Sequence, residues 1–151
     1  MPDYEAFTAF SRECNAHYRE LLDFEYKKMD MIHKDDIESL SKLLPAEQAL
    51  VMKSGALEKK RGQLLTGEDS GKTFRVIIDE APENYKEALQ KDFDELTDLI
   101  RTIKELNGNA AVIINERLKK MQKKRGELDT YNVSGNVSHT DGSVRHTTFN
   151  A

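Results

Sequence analysis

Between Pro82 and about Leu128, apolar side chains fall at Leu89, Phe93, Leu96, Ile100, Ile103, Ala110, Ile114 and Met121, in steps of three, four or seven. That spacing is the signature of a helix with one heptad-like seam, which Leu99, Leu106, Ile113 and Leu118 widen. At 1.5 Å per residue such a helix is about 70 Å long, far more than one compact core needs. Other helices must lie along it for most of that length if its apolar face is to leave water.

Two such partners are legible. From Asp3 to about His33, apolar residues recur as Phe7, Phe10, Cys14, Tyr18, Leu21, Leu22, Met29 and Ile32, again at helical steps. Asp35 then precedes Glu38 by three residues, the spacing of a reciprocal N-terminal cap, and predicts the start of a second helix. In that helix Leu43, Leu50, Leu57 and Leu64 form one seven-residue track, while Ile37, Leu44, Val51 and Leu65 form a parallel one broken by Glu58. Pro45 removes a helical amide and disfavours helical geometry before it, so a kink or restart is expected near Leu44. The helix should end by Thr66, and the Gly, Ser and Asp of Thr66 to Lys72 make a loop. Thr73 to Glu80 places Phe74, Ile77 and Ile78 at helical spacing; the Val76-Ile77-Ile78 run would also suit a strand, but a short helix is the better reading. Pro82 fits the first turn of the long helix, where its missing amide is not needed.

The expected fold is all-α: an elongated antiparallel bundle of two helices of roughly thirty residues, a short helix and one long C-terminal helix, with coiled-coil-like seams. Residues 1–128 form the bundle. Residues 129–151 turn to Asn, Ser, Thr, Gly and His with few apolar positions, and read as a flexible tail. Asp141-Gly142 within it could close a small hairpin, which alone is marginally stable.

Composition narrows the function. Charged residues are 33% of the 151 and hydrophobic ones 38%, which suits exposed amphipathic helices better than the deep core of an ordinary enzyme. The formal net charge is -4, so the chain as a whole does not call for nucleic acid. Cys14 is a lone cysteine and no basic and apolar leader opens the sequence, which leads us to expect a reducing, cytoplasmic setting. The longest apolar run, Ala110 to Ile114, is far short of the ~20 residues of a membrane span, so no integral membrane segment is expected.

Catalytic motifs are weak. Gly67-Glu-Asp-Ser-Gly71-Lys72-Thr73 resembles a phosphate-binding loop, yet it has three residues between its glycines where four are needed to wrap a phosphate, and a helix rather than a strand precedes it. A polar loop between helices is the better reading. A di-metal bundle site would need Glu-x-x-His pairs, and none occurs. His17 near Glu13 and Glu20 reads as a partly exposed structural histidine, His139 and His146 as solvated tail residues, and Cys14, between Phe10 and Tyr18, as a small buried hydrophobe. No enzyme activity, metal or cofactor is expected.

The stretch Arg117 to Arg125 carries six basic residues and no acid. Such a run commonly complements the negative pole of its own helix, or else steers an acidic partner; it lacks the interleaved aromatics of a single-strand nucleic-acid platform. The apolar stripe Ile113, Ile114, Leu118, Met121 and Leu128 passes through it. If the first two helices cover only part of the last, the end of this stripe has no internal partner and must meet water, a second copy or a partner helix.

Leu21-Leu22, then Met31-Ile32-His33-Lys34-Asp35, Ile37, Leu40, Leu44, Glu47-Gln48-Ala49-Leu50 and Leu57-Glu58-Lys59-Lys60-Arg61, in that order and spacing, resemble the first two helices of the FlgN family of flagellar export chaperones. Phe74-x-x-Ile77 before Pro82, then Leu99, Ile103, Leu106-Asn107, Ile113-Ile114, Leu118 and Tyr131 to Gly135 carry the likeness onwards, over roughly residues 18 to 135. The resemblance implies a cytoplasmic, non-enzymatic chaperone that holds the disordered terminal segments of flagellar hook-filament junction (hook-associated) proteins, prevents premature assembly and delivers them to the flagellar type III export apparatus. The expected client face is Ile113, Arg117, Leu118, Met121, Arg125 and Leu128, and the family's post-helix tyrosine would make Tyr131 the contact with the export gate. The alternative is a non-flagellar coiled-coil adaptor or dimerising scaffold, since a heptad seam also suits a homodimer.

Overall fold

A computed structural model of the chain describes the backbone from Met1 to Arg125 and the side chains as far as Lys123. Its elements are α1 (Tyr4–His33), α2 (Ile37–Leu64), a 3-10 turn (Gly67–Asp69), α3 (Phe74–Glu80) and α4 (Glu83–Arg125). No strand occurs among the described residues, and Val76-Ile77-Ile78 lies within α3. The all-α expectation therefore stands. Leu128, Tyr131, His139, His146 and the Asp141-Gly142 hairpin, with the whole of 129–151, lie outside the described residues.

Local chemistry explains the helix ends. The Asp3 carboxylate accepts the Ala6 amide at 3.0 Å, and the Thr73 hydroxyl accepts the Val76 amide at 3.3 Å, each satisfying one of the first free donors of its helix. At the end of α1 the Asp36 amide donates to the Met31 carbonyl and the Asp35 amide to the Ile32 carbonyl, a Schellman closure. That closure needs a left-handed residue, and Asp35 takes it with φ 56. Asp35 is thus not the cap of α2; the cap is Asp36, whose carboxylate accepts the Ser39 amide at 3.0 Å. Pro82 likewise sits one residue ahead of α4, where its carbonyl accepts the amides of Tyr85 and Lys86.

Pro45 does not interrupt α2, which runs unbroken from Ile37 to Leu64. The carbonyl of Ser41 loses its usual amide donor, but Ser41 and Pro45 are both exposed, so water can replace it. The expected restart near Leu44 is absent for that reason.

One core joins the helices. Phe7, Phe10, Cys14, Tyr18 and Leu21 of α1 meet Leu57 of α2 with Leu65 just beyond it, Phe74, Ile77 and Ile78 of α3, and Leu89, Phe93, Leu96 and Ile103 of α4. Phe74 bridges the far end, its ring 4.9 Å from Phe7 and 5.5 Å from Phe93. Burying each large side chain contributes about 1.5–3 kcal/mol. The arrangement departs from the expectation that both earlier helices lie along α4: α4 and α2 each pack on α1, which is the shared middle helix. The reason is in the faces. α1 buries residues from Tyr4 to Ile32 over a stripe broad enough for two neighbours, whereas α2 buries only Ser54 and Leu57.

Candidate functional site

The long helix outruns its cover. Ala110, at 3% exposure, is the last fully buried residue of α4 among the described side chains; Ile113, Ile114 and Leu118 are half-buried, and Met121 reaches 41% exposure. Arg117 marks where α1 stops. Its guanidinium donates to the Ile32 carbonyl and pairs with the Asp35 carboxylate at 2.6 Å, clamping the Schellman turn of α1 onto α4. The cation thus complements the negative pole of α1, not that of its own helix. Past this clamp α4 continues eight residues to Arg125, about 12 Å of helix. There Lys119, Lys120, Met121 and Lys123 are exposed.

Of the six residues expected on the client face, Ile113, Arg117, Leu118 and Met121 therefore lie on one stretch of α4 where burial fades into water. The side chain of Arg125, and all of Leu128 and Tyr131, lie outside the described residues.

The other candidates are accounted for by packing. His17 is fully buried, not partly exposed: its Nε2 lies 2.7 Å from the Ser54 hydroxyl, and its ring meets Tyr18 edge-on at 5.0 Å. Its sequence neighbours Glu13 and Glu20 instead pair outward with Lys60 and Lys53 of α2. Burial, then the Lys53 charge, lowers the imidazole pKa below its usual 6.5. Cys14 is fully buried and its thiol is pushed up to about 12, chiefly by burial, which disfavours a nucleophile. In the loop after α2, Gly67 and Gly71 take positive φ and Lys72 is held by Asp69 at 2.8 Å and Glu80 at 2.6 Å. That lysine is committed to two carboxylates, which raise its pKa. Among the described residues no group of three His, Cys, Asp or Glu could hold a metal ion.

Two features escaped the sequence reading. Lys28 and Glu25, whose i, i+3 spacing looks like a surface pair, are both buried, with Lys28 Nζ 2.9 Å from Glu25, 3.4 Å from Glu47 of α2 and 3.1 Å from Asn107 of α4. The second is the outer side of α2, where Ile37 is 67%, Leu44 56% and Met52 76% exposed.

The geometry is that of a scaffold with an overhanging amphipathic helix, and comparison with known families decides what kind. A family model described as FlgN protein matches residues 1–139. The chain belongs to the FlgN family. FlgN proteins are flagellar export chaperones, and a chaperone role of that general kind extends to this chain. No curated protein and no solved structure matches it. No helix among the described residues is long and apolar enough to cross a membrane.

Proposed function

We propose that this FlgN-family chain is a cytoplasmic chaperone that holds the disordered, amphipathic terminal segment of a flagellar hook-filament junction protein along the C-terminal part of α4 and delivers it to the flagellar type III export gate. The observation that carries the placement is the overhang: the apolar side of α4 runs on past the Arg117 clamp at the end of α1, with lysines exposed beside it. A client segment lays its apolar face over Ile113, Leu118, Met121 and Leu128 and folds as it binds, while Arg125 and the neighbouring lysines draw acidic client residues. Arg117 sits at the inner boundary, already paired with Asp35, and extends its remaining donors to the client. Ordering the segment costs free energy, so affinity is modest, which suits cargo that must be released. Tyr131, six residues beyond Arg125, is the contact for the export gate.

The test is capture from a lysate of a motile source with the tagged full-length chain and with its Leu118→Asp variant. Wild type retains hook-filament junction proteins and the variant loses them, with helicity unchanged by circular dichroism. Equal retention by both moves the client off this face; no flagellar protein on either bait favours a non-flagellar coiled-coil adaptor.

A further inference from the structure

We infer that the outer face of α2 is a self-association surface, on which two copies of the chain pair antiparallel about a two-fold axis near Gln48. α2 carries two heptad tracks one residue apart, hence about 100° apart around the helix. Leu43, Leu50, Leu57 and Leu64 are partly or fully buried, and three of them pack into or against the common core. On the other track Ile37 and Leu44 stand 67% and 56% exposed and Val51 is half-buried, with Met52 beside it at 76%. Three large apolar side chains along little more than four turns of one helix make a patch of the kind that marks an interface.

Charge selects the occupant. Glu38, at one end of the face, is exposed and has only a distant partner, Lys42 at 3.6 Å; Lys59, at the other end, is exposed. Antiparallel pairing about Gln48 sets Leu44 against Met52, and Glu38 beside Lys59 at both ends, so the face is complementary to itself. A parallel pair would instead place each of those charges against its like. Backbone shape agrees. Gly55 falls opposite Ser41 in this register, and a Cβ built on Gly55 meets nothing within 4 Å in its own chain. A glycine set opposite a serine lets two helix backbones approach closely. The face is small beside the roughly 800 Å² per partner of a stable complex, so the dimer is a micromolar one.

The test is sedimentation of the full chain across about 1–300 µM. The mass rises from one chain to two; Leu44→Asp with Met52→Asp, both exposed and harmless to the core, weakens association about 100-fold. Glu38→Lys alone weakens it and Lys59→Glu in the same chain restores it. Under mild oxidation Gln48→Cys gives a disulfide-linked dimer and Lys53→Cys, on the far side of α2, does not. A single-chain mass throughout overturns the proposal, as does a dimer that survives the paired aspartates or that cross-links through Lys53→Cys. So does a monomer whose paired-aspartate variant loses junction-protein capture, which gives the face to the client.

Discussion

Replacing Lys28 with methionine tests the most exacting feature of the interior. Among the described residues the ammonium is the one buried cation, in reach of α1, α2 and α4 together, and its side chain and that of Glu25 are 8% and 2% exposed. Methionine keeps the apolar stem and removes the charge, leaving the Glu25 carboxylate buried beside Glu47 with no cation. Breaking a buried pair from one side costs about 3–5 kcal/mol; the Glu47 contact is long at 3.4 Å, so about 3 kcal/mol is expected, or roughly 6–12 °C in melting temperature at this chain length. The sign with pH follows from Glu25, whose pKa burial already raises above 4.5 against the lowering effect of Lys28. A carboxyl with a raised folded pKa favours folding at low pH and loses that contribution as pH climbs from 4.5 through the folded value. Without Lys28 the folded value climbs further, so the variant's deficit is larger at pH 8 than at pH 5. Urea unfolding followed by circular dichroism at both pH values measures it. Adding Glu25→Gln should return most of the loss. A deficit under about 1 kcal/mol, equal at the two pH values, would show a solvated pair and refute the reasoning.

Other consequences are simpler to check. Leu57→Ala, at 3% exposure where α2 meets the core, should cost about 2–4 kcal/mol in the same assay. Cys14 should resist a thiol reagent at pH 8 in the folded chain and react at once in denaturant, because its thiol is pushed up to about 12. The His17 ring should take its proton by NMR only below the ordinary 6.5; since the unfolded histidine takes the proton first, stability should fall as the pH drops from 6.5 towards the folded value. Asp35→Ala, which removes the carboxylate partner of Arg117 and a residue tolerant of φ 56, should cost about 1 kcal/mol and fray the α1–α2 turn in hydrogen exchange.

What was legible in the sequence was periodic. Steps of three and four fix which residues of α1 and α4 face inward, and these need no knowledge of neighbours. The errors arise where two local solutions fit equally. Asp35 and Asp36 each precede a free amide by three residues, and only the left-handed closure of α1 selects Asp36 as the cap. Pro45 carries a penalty that depends on whether the Ser41 carbonyl is wet, a tertiary fact. The depth of His17 depends on Ser54, 37 residues away, and that of Lys28 on α2 and α4 together. A pair of seven-residue tracks on α2 likewise does not tell which track meets α1. For the candidate site, helix lengths alone predicted an uncovered end of α4, but not that Arg117 would clamp the turn at its start. Solution experiments test the placement of a client on Ile113, Leu118 and Met121.

The most direct of these is hydrogen exchange of the full chain with and without a purified hook-filament junction protein. Binding on the overhang predicts slowed exchange concentrated at residues 112–125 of α4, with the N-terminal half of that helix and α1 unchanged. Protection confined to α1 or α2, or no protection anywhere under saturating junction protein, would contradict the account.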